Sequence, residues 1–402
     1  MVRVFLALVL LAASIPEGAG PCSDGVQPSG ALYRFCMPEA GRWNGDLVVF
    51  AHGYVDPNLP VGIQEELLLL PDGTSIAELV NDLGYAFATT SYSTNGLALL
   101  PGIADILELV EIFRQMYPST QRIYLTGASQ GGLITTLAVE QNPQIFSGGL
   151  AACGPTGDFR KQLDYWGDFR VAFDYFFPGV LPPSPVAIPQ EVMEDWETVY
   201  TPAIQAAMAV NPDAVSQLLS VTDVPADASD SAGVQDAILG LLWYNAFATN
   251  NGIDQLGGQP FDNTQRVYTG SADDLLLNQQ VQRFSADPAA LAEIETQYQT
   301  SGKLEIPLVT LHTTGDPIIP YWHNILYLSK VITSGSGKHY DHIPIPRYGH
   351  CEFTTAEVLA GFALLVLRTT GEPIDLSLAL SALPDEVARA EFLRLYEQIG
   401  EW

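Results

Sequence analysis

Basic residues are scarce in this 402-residue chain: 17 Lys and Arg face 46 Asp and Glu, giving a formal net charge of −29. Lysine occurs only at Lys161, Lys303, Lys330 and Lys338, and neither basic type occurs between Arg170 and Arg266. Binding a polyanion requires a basic footprint, so this balance argues against nucleic acid, heparin-like polymers and anionic membrane surfaces. Long apolar runs are missing too. The N-terminal run Val4–Ala13 is too short to span a bilayer, and the apolar stretch Val358–Leu367 reads as a buried core helix. No Cys/His cluster has zinc spacing, and no acidic stretch has the ligand spacing of a calcium loop. No glycine-rich dinucleotide fingerprint stands in context either. We therefore expect no cofactor and no metal. Nothing in the sequence bears on oligomeric state.

Cysteine is limited to Cys22, Cys36, Cys153 and Cys351. A basic tip at Arg3, the short apolar run and small residues after it predict a signal peptide over residues 1–20. Export implies a secreted or periplasmic protein, in which four cysteines form two disulfides by one of three pairings. Cys22 with Cys36 would close a short loop, leaving Cys153 for Cys351. Gly20-Pro21 before Cys22 is not a lipoprotein-type motif, so no lipid anchor is expected.

The most informative segment is Gly127-Ala128-Ser129-Gln130-Gly131-Gly132. The β-rich apolar run 122–126 precedes it, and 133–140 carries apolar residues at helical spacing before Asn142-Pro143. A sharp strand-to-helix turn exposes the serine hydroxyl and brings strand and helix so close that only small residues fit at Gly127 and Gly131. Ser129 is the expected nucleophile.

Strand signals at 32–36, 47–51, 85–90, 122–126 and 147–153 alternate with helix signals at 74–80, 103–116 and 133–140. This rhythm predicts an α/β fold with a mostly parallel sheet and helices on both faces. It breaks near Gly154 and resumes with strands at 307–311 and 343–345, followed by a capped helix from Thr354 to Gly371. Residues 155–300 read as an inserted helical lid, and 21–154 with 301–402 as the catalytic core.

A serine nucleophile needs a base within hydrogen-bond reach and a group that orients the base. Thr314-Gly315-Asp316-Pro317-Ile318-Ile319-Pro320 follows one strand, and Gly349-His350 follows the last. These turns, with the serine turn, resemble the three catalytic turns of the α/β-hydrolase superfamily over about 40–153 and 303–370. The resemblance implies Ser129 as nucleophile, His350 as general base and acid, and Asp316 as orienter. Asp158, Asp341 and the histidines His52, His312, His323, His339 and His342 are the rival positions. Oxyanion donors are expected at the backbone N–H of Gln130 and of Tyr54 in the loop Ala51-His52-Gly53-Tyr54-Val55, with Val55 as the next candidate.

Cys351 beside His350 resembles the tannase and feruloyl esterase group, where cysteines next to the serine and histidine are linked. Here Ala128 precedes Ser129, so Cys153 would have to be the partner. The strand between their two strands puts them about 9–10 Å apart at ladder spacing, so that pairing requires converging loops.

The lid opens with Tyr165, Trp166, Phe169, Phe173, Tyr175, Phe176 and Phe177. Such residues form either a substrate pocket or the lid's own core, and Tyr54, Trp166 and Phe169 are the expected substrate contacts. The acidic surface favours a neutral, small or polymeric ester with an apolar or aromatic acyl group. The sequence therefore predicts a secreted serine esterase working through an acyl-enzyme. Its alternatives are an exported peptidase like the prolyl oligopeptidases, and a non-catalytic binding protein on the same fold.

Overall fold

The computed structural model describes residues 22–399. The expected signal peptide at 1–20 lies outside the described residues. Eight strands form one sheet: β1 (Cys22–Val26), β2 (Leu32–Cys36), β3 (Leu47–Ala51), β4 (Ala86–Thr90), β5 (Ile123–Ala128), β6 (Gly148–Ala152), β7 (Leu308–Gly315) and β8 (Tyr340–Tyr348). Their order is β1-β2-β4-β3-β5-β6-β7-β8. β1 pairs antiparallel with β2 and β2 with β4, and every later pairing is parallel. Central strands β3, β4 and β5 are buried along nearly their whole length, as expected of parallel strands covered on both faces.

Helices α1 (Ile76–Asp82), α2 (Leu99–Met116) and α3 (Gln130–Gln141) alternate with these strands. Seven α-helices lie between β6 and β7: α4 (Phe159–Phe176), α5 (Gln190–Glu194), α6 (Thr201–Val210), α7 (Pro212–Thr222), α8 (Ser231–Leu256), α9 (Asp274–Gln280) and α10 (Pro288–Glu293). After β7 come α11 (Trp322–Ser334), α12 (Thr355–Thr370), α13 (Leu376–Ala382) and α14 (Glu386–Ile399).

Side chains alternate across each strand, and the two faces have separate cores. Val49, Leu125 and Ala151 pack with α2, α3 and α11. Val48, Phe50, Tyr124 and Leu150 pack with α1, α12 and α14. The helices between β6 and β7 have a third core, built on Phe169, Phe173, Leu218, Ile238 and Leu241. This arrangement is the α/β-hydrolase fold, and it puts the C-terminal ends of β3, β5, β6, β7 and β8 on one edge. Among the described residues no helix is long and apolar enough to cross a membrane.

The structure extends the sequence reading in three places. β1 forms an antiparallel hairpin with β2, in which Cys22 stands opposite Cys36 and is disulfide-bonded to it. β8 is longer than 343–345; its outer residues are half-buried or exposed and carry no apolar pattern to mark them in the sequence. Helix α4 runs through the whole aromatic segment, whose nearly continuous bulk conceals the helical period.

Candidate active site

β5 ends at Ala128 and α3 begins at Gln130, so a single residue, Ser129, makes the turn, at φ 58° and ψ −122°. An L-residue at positive φ outside helix or strand costs about 1–3 kcal/mol. The surroundings hold it there. A methyl group on Gly131 would run into the Ala51 carbonyl, and one on Gly127 into the Gly131 carbonyl. Ser129 N–H donates to the Ala152 carbonyl at 2.9 Å, locking the turn to β6.

Ser129 Oγ lies 2.9 Å from His350 Nε2, and His350 Nδ1 lies 2.7 Å from Asp316 Oδ2. Asp316 is fully buried, and its Oδ1 accepts N–H bonds from Ile318 at 2.8 Å and Ile319 at 2.9 Å. Burial alone would raise its pKa; the charge of His350 and hydrogen bonds from His312 and His350 outweigh it and hold the carboxyl at about 2. An ionised Asp316 can only accept, so Nδ1 carries the imidazole proton and Nε2 is left as acceptor for the Ser129 hydroxyl. That is the tautomer a general base requires.

The rival residues are otherwise engaged. Asp158 caps α4, and Asp341 pairs with Arg368 at 2.6 Å. His52 stacks on Tyr92 at 3.9 Å, and burial lowers its pKa. Nδ1 of buried His323 accepts from Gly157 N–H at 3.0 Å. His342 bonds Thr310 and Tyr321, and His339 sits in the turn before β8. His312 Nε2 bonds the Ile319 carbonyl at 2.8 Å and stands 3.4 Å from Asp316, supporting the carboxylate from behind.

The expected oxyanion donors sit on either side of the serine. Gln130 is the first residue of α3, so its N–H has no partner within the helix and points out of a positive helix end. A methyl on Gly53 would lie 3.5 Å from Ser129 Cβ, so the His52-Gly53-Tyr54 loop lies against Ser129. Among the described residues neither the Tyr54 nor the Gln130 N–H is spent on an acceptor.

Cys153 and Cys351 are disulfide-bonded, with Cα atoms 5.4 Å apart. β7 does separate their strands, as ladder geometry requires. Both residues adopt positive φ, 44° and 57°. Cys153 N–H donates to the Leu311 carbonyl and its side chain packs with Leu311 and Ile345, so the turn after β8 comes back over β7 to reach it. Closing a loop of 198 residues contributes about 5 kcal/mol in the chain-entropy limit. Cys351 follows His350 directly, so the bridge also ties the imidazole's turn to the sheet.

Of the expected substrate contacts, Tyr54 lines the main cleft, and with Ser129 and Trp166 it also lines a small cavity of about 50 Å³. Phe169 is a correction: it is fully buried in the core of the inserted helices and lines neither space. Tyr244 of α8, one of the inserted segment's aromatics, was not among the expected contacts. It stacks on Trp166 at 4.9 Å, packs against Tyr54 at 5.9 Å and borders both spaces beside Ser129. Burial, then the charge of Asp316, pushes its hydroxyl up to about 12, and Ser129 partly offsets the rise. Its only sequence signal was membership of an aromatic pair in a long helix.

Residues 81–166 match the model of the Prolyl oligopeptidase family. No curated protein matches the chain in sequence. Among solved structures, the chain is similar to an acylaminoacyl peptidase from Pyrococcus horikoshii, with 13% identity and a TM-score of 0.45 over 90% of this chain and 44% of that one. It is similar to feruloyl esterase B from Aspergillus oryzae, with 14% identity and a TM-score of 0.46 over 90% and 87%. It is also similar to a Pyrococcus furiosus esterase, with 11% identity and a TM-score of 0.40 over 83% and 84%. The chain spans only 38–44% of the length of the first three peptidases it matches.

Proposed function

We propose that this α/β-hydrolase is an exported serine esterase that cleaves neutral carboxylic esters through an acyl-enzyme. Ser129 attacks the ester carbonyl while His350 Nε2 takes its proton, and His350 then returns that proton to the leaving alcohol. Water repeats the sequence and releases the acid. Asp316 keeps the imidazole in its working tautomer and balances the imidazolium that forms. Gln130 and Tyr54 N–H groups receive the oxyanion. The observation that carries this reading is the unbroken hydrogen-bond chain from Ser129 through His350 to buried Asp316. Two disulfides support export, since such bonds persist in oxidising compartments. We read residues 155–300 as a lid, supported by Trp166 and Tyr244 standing over Ser129.

One observation favours a second reading, a peptidase: the match of residues 81–166 to the Prolyl oligopeptidase family. The two are separated by kinetics on a p-nitrophenyl ester and the p-nitroanilide of the same acyl group. The esterase reading expects kcat/KM on the ester to exceed that on the anilide by orders of magnitude. Equal values would favour the peptidase.

A further inference from the structure

A cleft of about 610 Å³ opens at Ser129, His350 and Tyr54 and continues into the layer between the sheet and helices α1 and α12. Its inner walls are Phe50 and Leu150 from the sheet, Leu79 and Leu83 from α1, and Leu359 and Phe362 from α12. Both helices start at the catalytic edge and run toward the opposite edge, so Leu83 and Phe362 lie deepest. The lining carboxylates, Glu66 and Glu352, are exposed residues at the mouth. Phe362 packs edge-on against Tyr85 and Tyr124 at the far end, and Leu83 separates the cleft from a polar cavity on the opposite side.

The depth follows from the register. Val48 lines the cleft and pairs with Tyr124, five residues before Ser129 on β5. At the rise of a parallel strand, five residues cover about 16 Å. An extended alkyl chain advances about 1.3 Å per methylene, from a C–C bond near 1.5 Å.

We propose that this cleft is a channel for one unbranched aliphatic chain of the ester, about ten to twelve carbons long. The inference rests on the esterase reading, because the channel's open end is the Ser129–His350 pair. An apolar cleft whose inner walls carry no charge discriminates by chain length, since each added methylene is dehydrated on entry. The acidic mouth repels a carboxylate product and so favours its release.

Two ester series test the channel and its source. One varies the acyl group on p-nitrophenol from two to sixteen carbons, and the other varies the linear alcohol of acetate esters. In one series kcat/KM rises about fourfold per methylene, the gain from burying a CH₂, and levels near ten to twelve carbons. The series that rises identifies the chain as acyl or alcohol. Leu79→Trp narrows the channel midway and lowers the dodecanoate-to-butyrate ratio at least tenfold, or the matching ratio in the alcohol series. Leu83→Ala deepens the channel and moves the plateau to longer chains, with circular dichroism confirming that both variants fold. Turnover of short esters with kcat/KM flat or falling beyond four carbons in both series overturns the channel and leaves the esterase reading intact. No turnover at any length overturns both.

Discussion

Ser129→Ala is expected to lower kcat by about 10⁶-fold, the loss seen when a serine nucleophile is removed from a unit whose members act together. KM should change little, because the cleft walls and the oxyanion donors remain. Alanine keeps the Cβ at the strained position, so the elbow packing is unaltered. The turn is held by the Ser129 N–H to Ala152 and by glycines at Gly127 and Gly131, none of which involves the hydroxyl. Steady-state hydrolysis of p-nitrophenyl butyrate, with far-UV circular dichroism as the folding check, measures it. A variant retaining most of its activity would remove Ser129 from the mechanism.

Asp316→Asn should cost about 10⁴-fold in kcat through the proton on His350 rather than through geometry. Asp316 Oδ1 accepts two backbone N–H bonds, from Ile318 and Ile319. An asparagine must offer its carbonyl oxygen to that pair, which turns its NH₂ toward His350 Nδ1. Nδ1 then becomes an acceptor, the proton moves to Nε2, and Nε2 can no longer take the serine proton. KM and the melting temperature should move far less than kcat. A loss of only a few fold would mean that another group orients His350, and His312, 3.4 Å from Asp316, is the neighbour to examine next.

The elbow was legible because its constraint is local. A strand, one serine, a helix and three glycines follow one another between Ile123 and Gln141, and each glycine answers a nearby carbonyl such as Ala51 or Ala152. Asp316 and His350 were legible for a similar reason, since each follows a strand in a turn whose glycine is needed. Tyr244 was not, because its place over Ser129 depends on how α8 packs against α4 across a long insertion. Phe169 misled for the same reason: an aromatic segment in a helix does not say which residue faces inward. The Cys153–Cys351 bond was a matter of backbone direction beyond two strand ends, which spacing does not decide. The channel was invisible in sequence, since Leu79, Leu83 and Leu359 look like any core leucines until the space between them is seen.

The central claim is that Ser129, activated by His350, attacks a bound carbonyl and becomes acylated. A fluorophosphonate probe reports that activation without knowledge of the natural substrate, because phosphonylation requires a nucleophilic serine beside a base. Intact mass followed by peptide mapping after brief exposure of the folded protein should show one adduct, on Ser129. The adduct should be absent from heat-unfolded protein and from the Ser129→Ala variant. No adduct on folded protein, or one at another residue with Ser129 unmodified, would contradict the account.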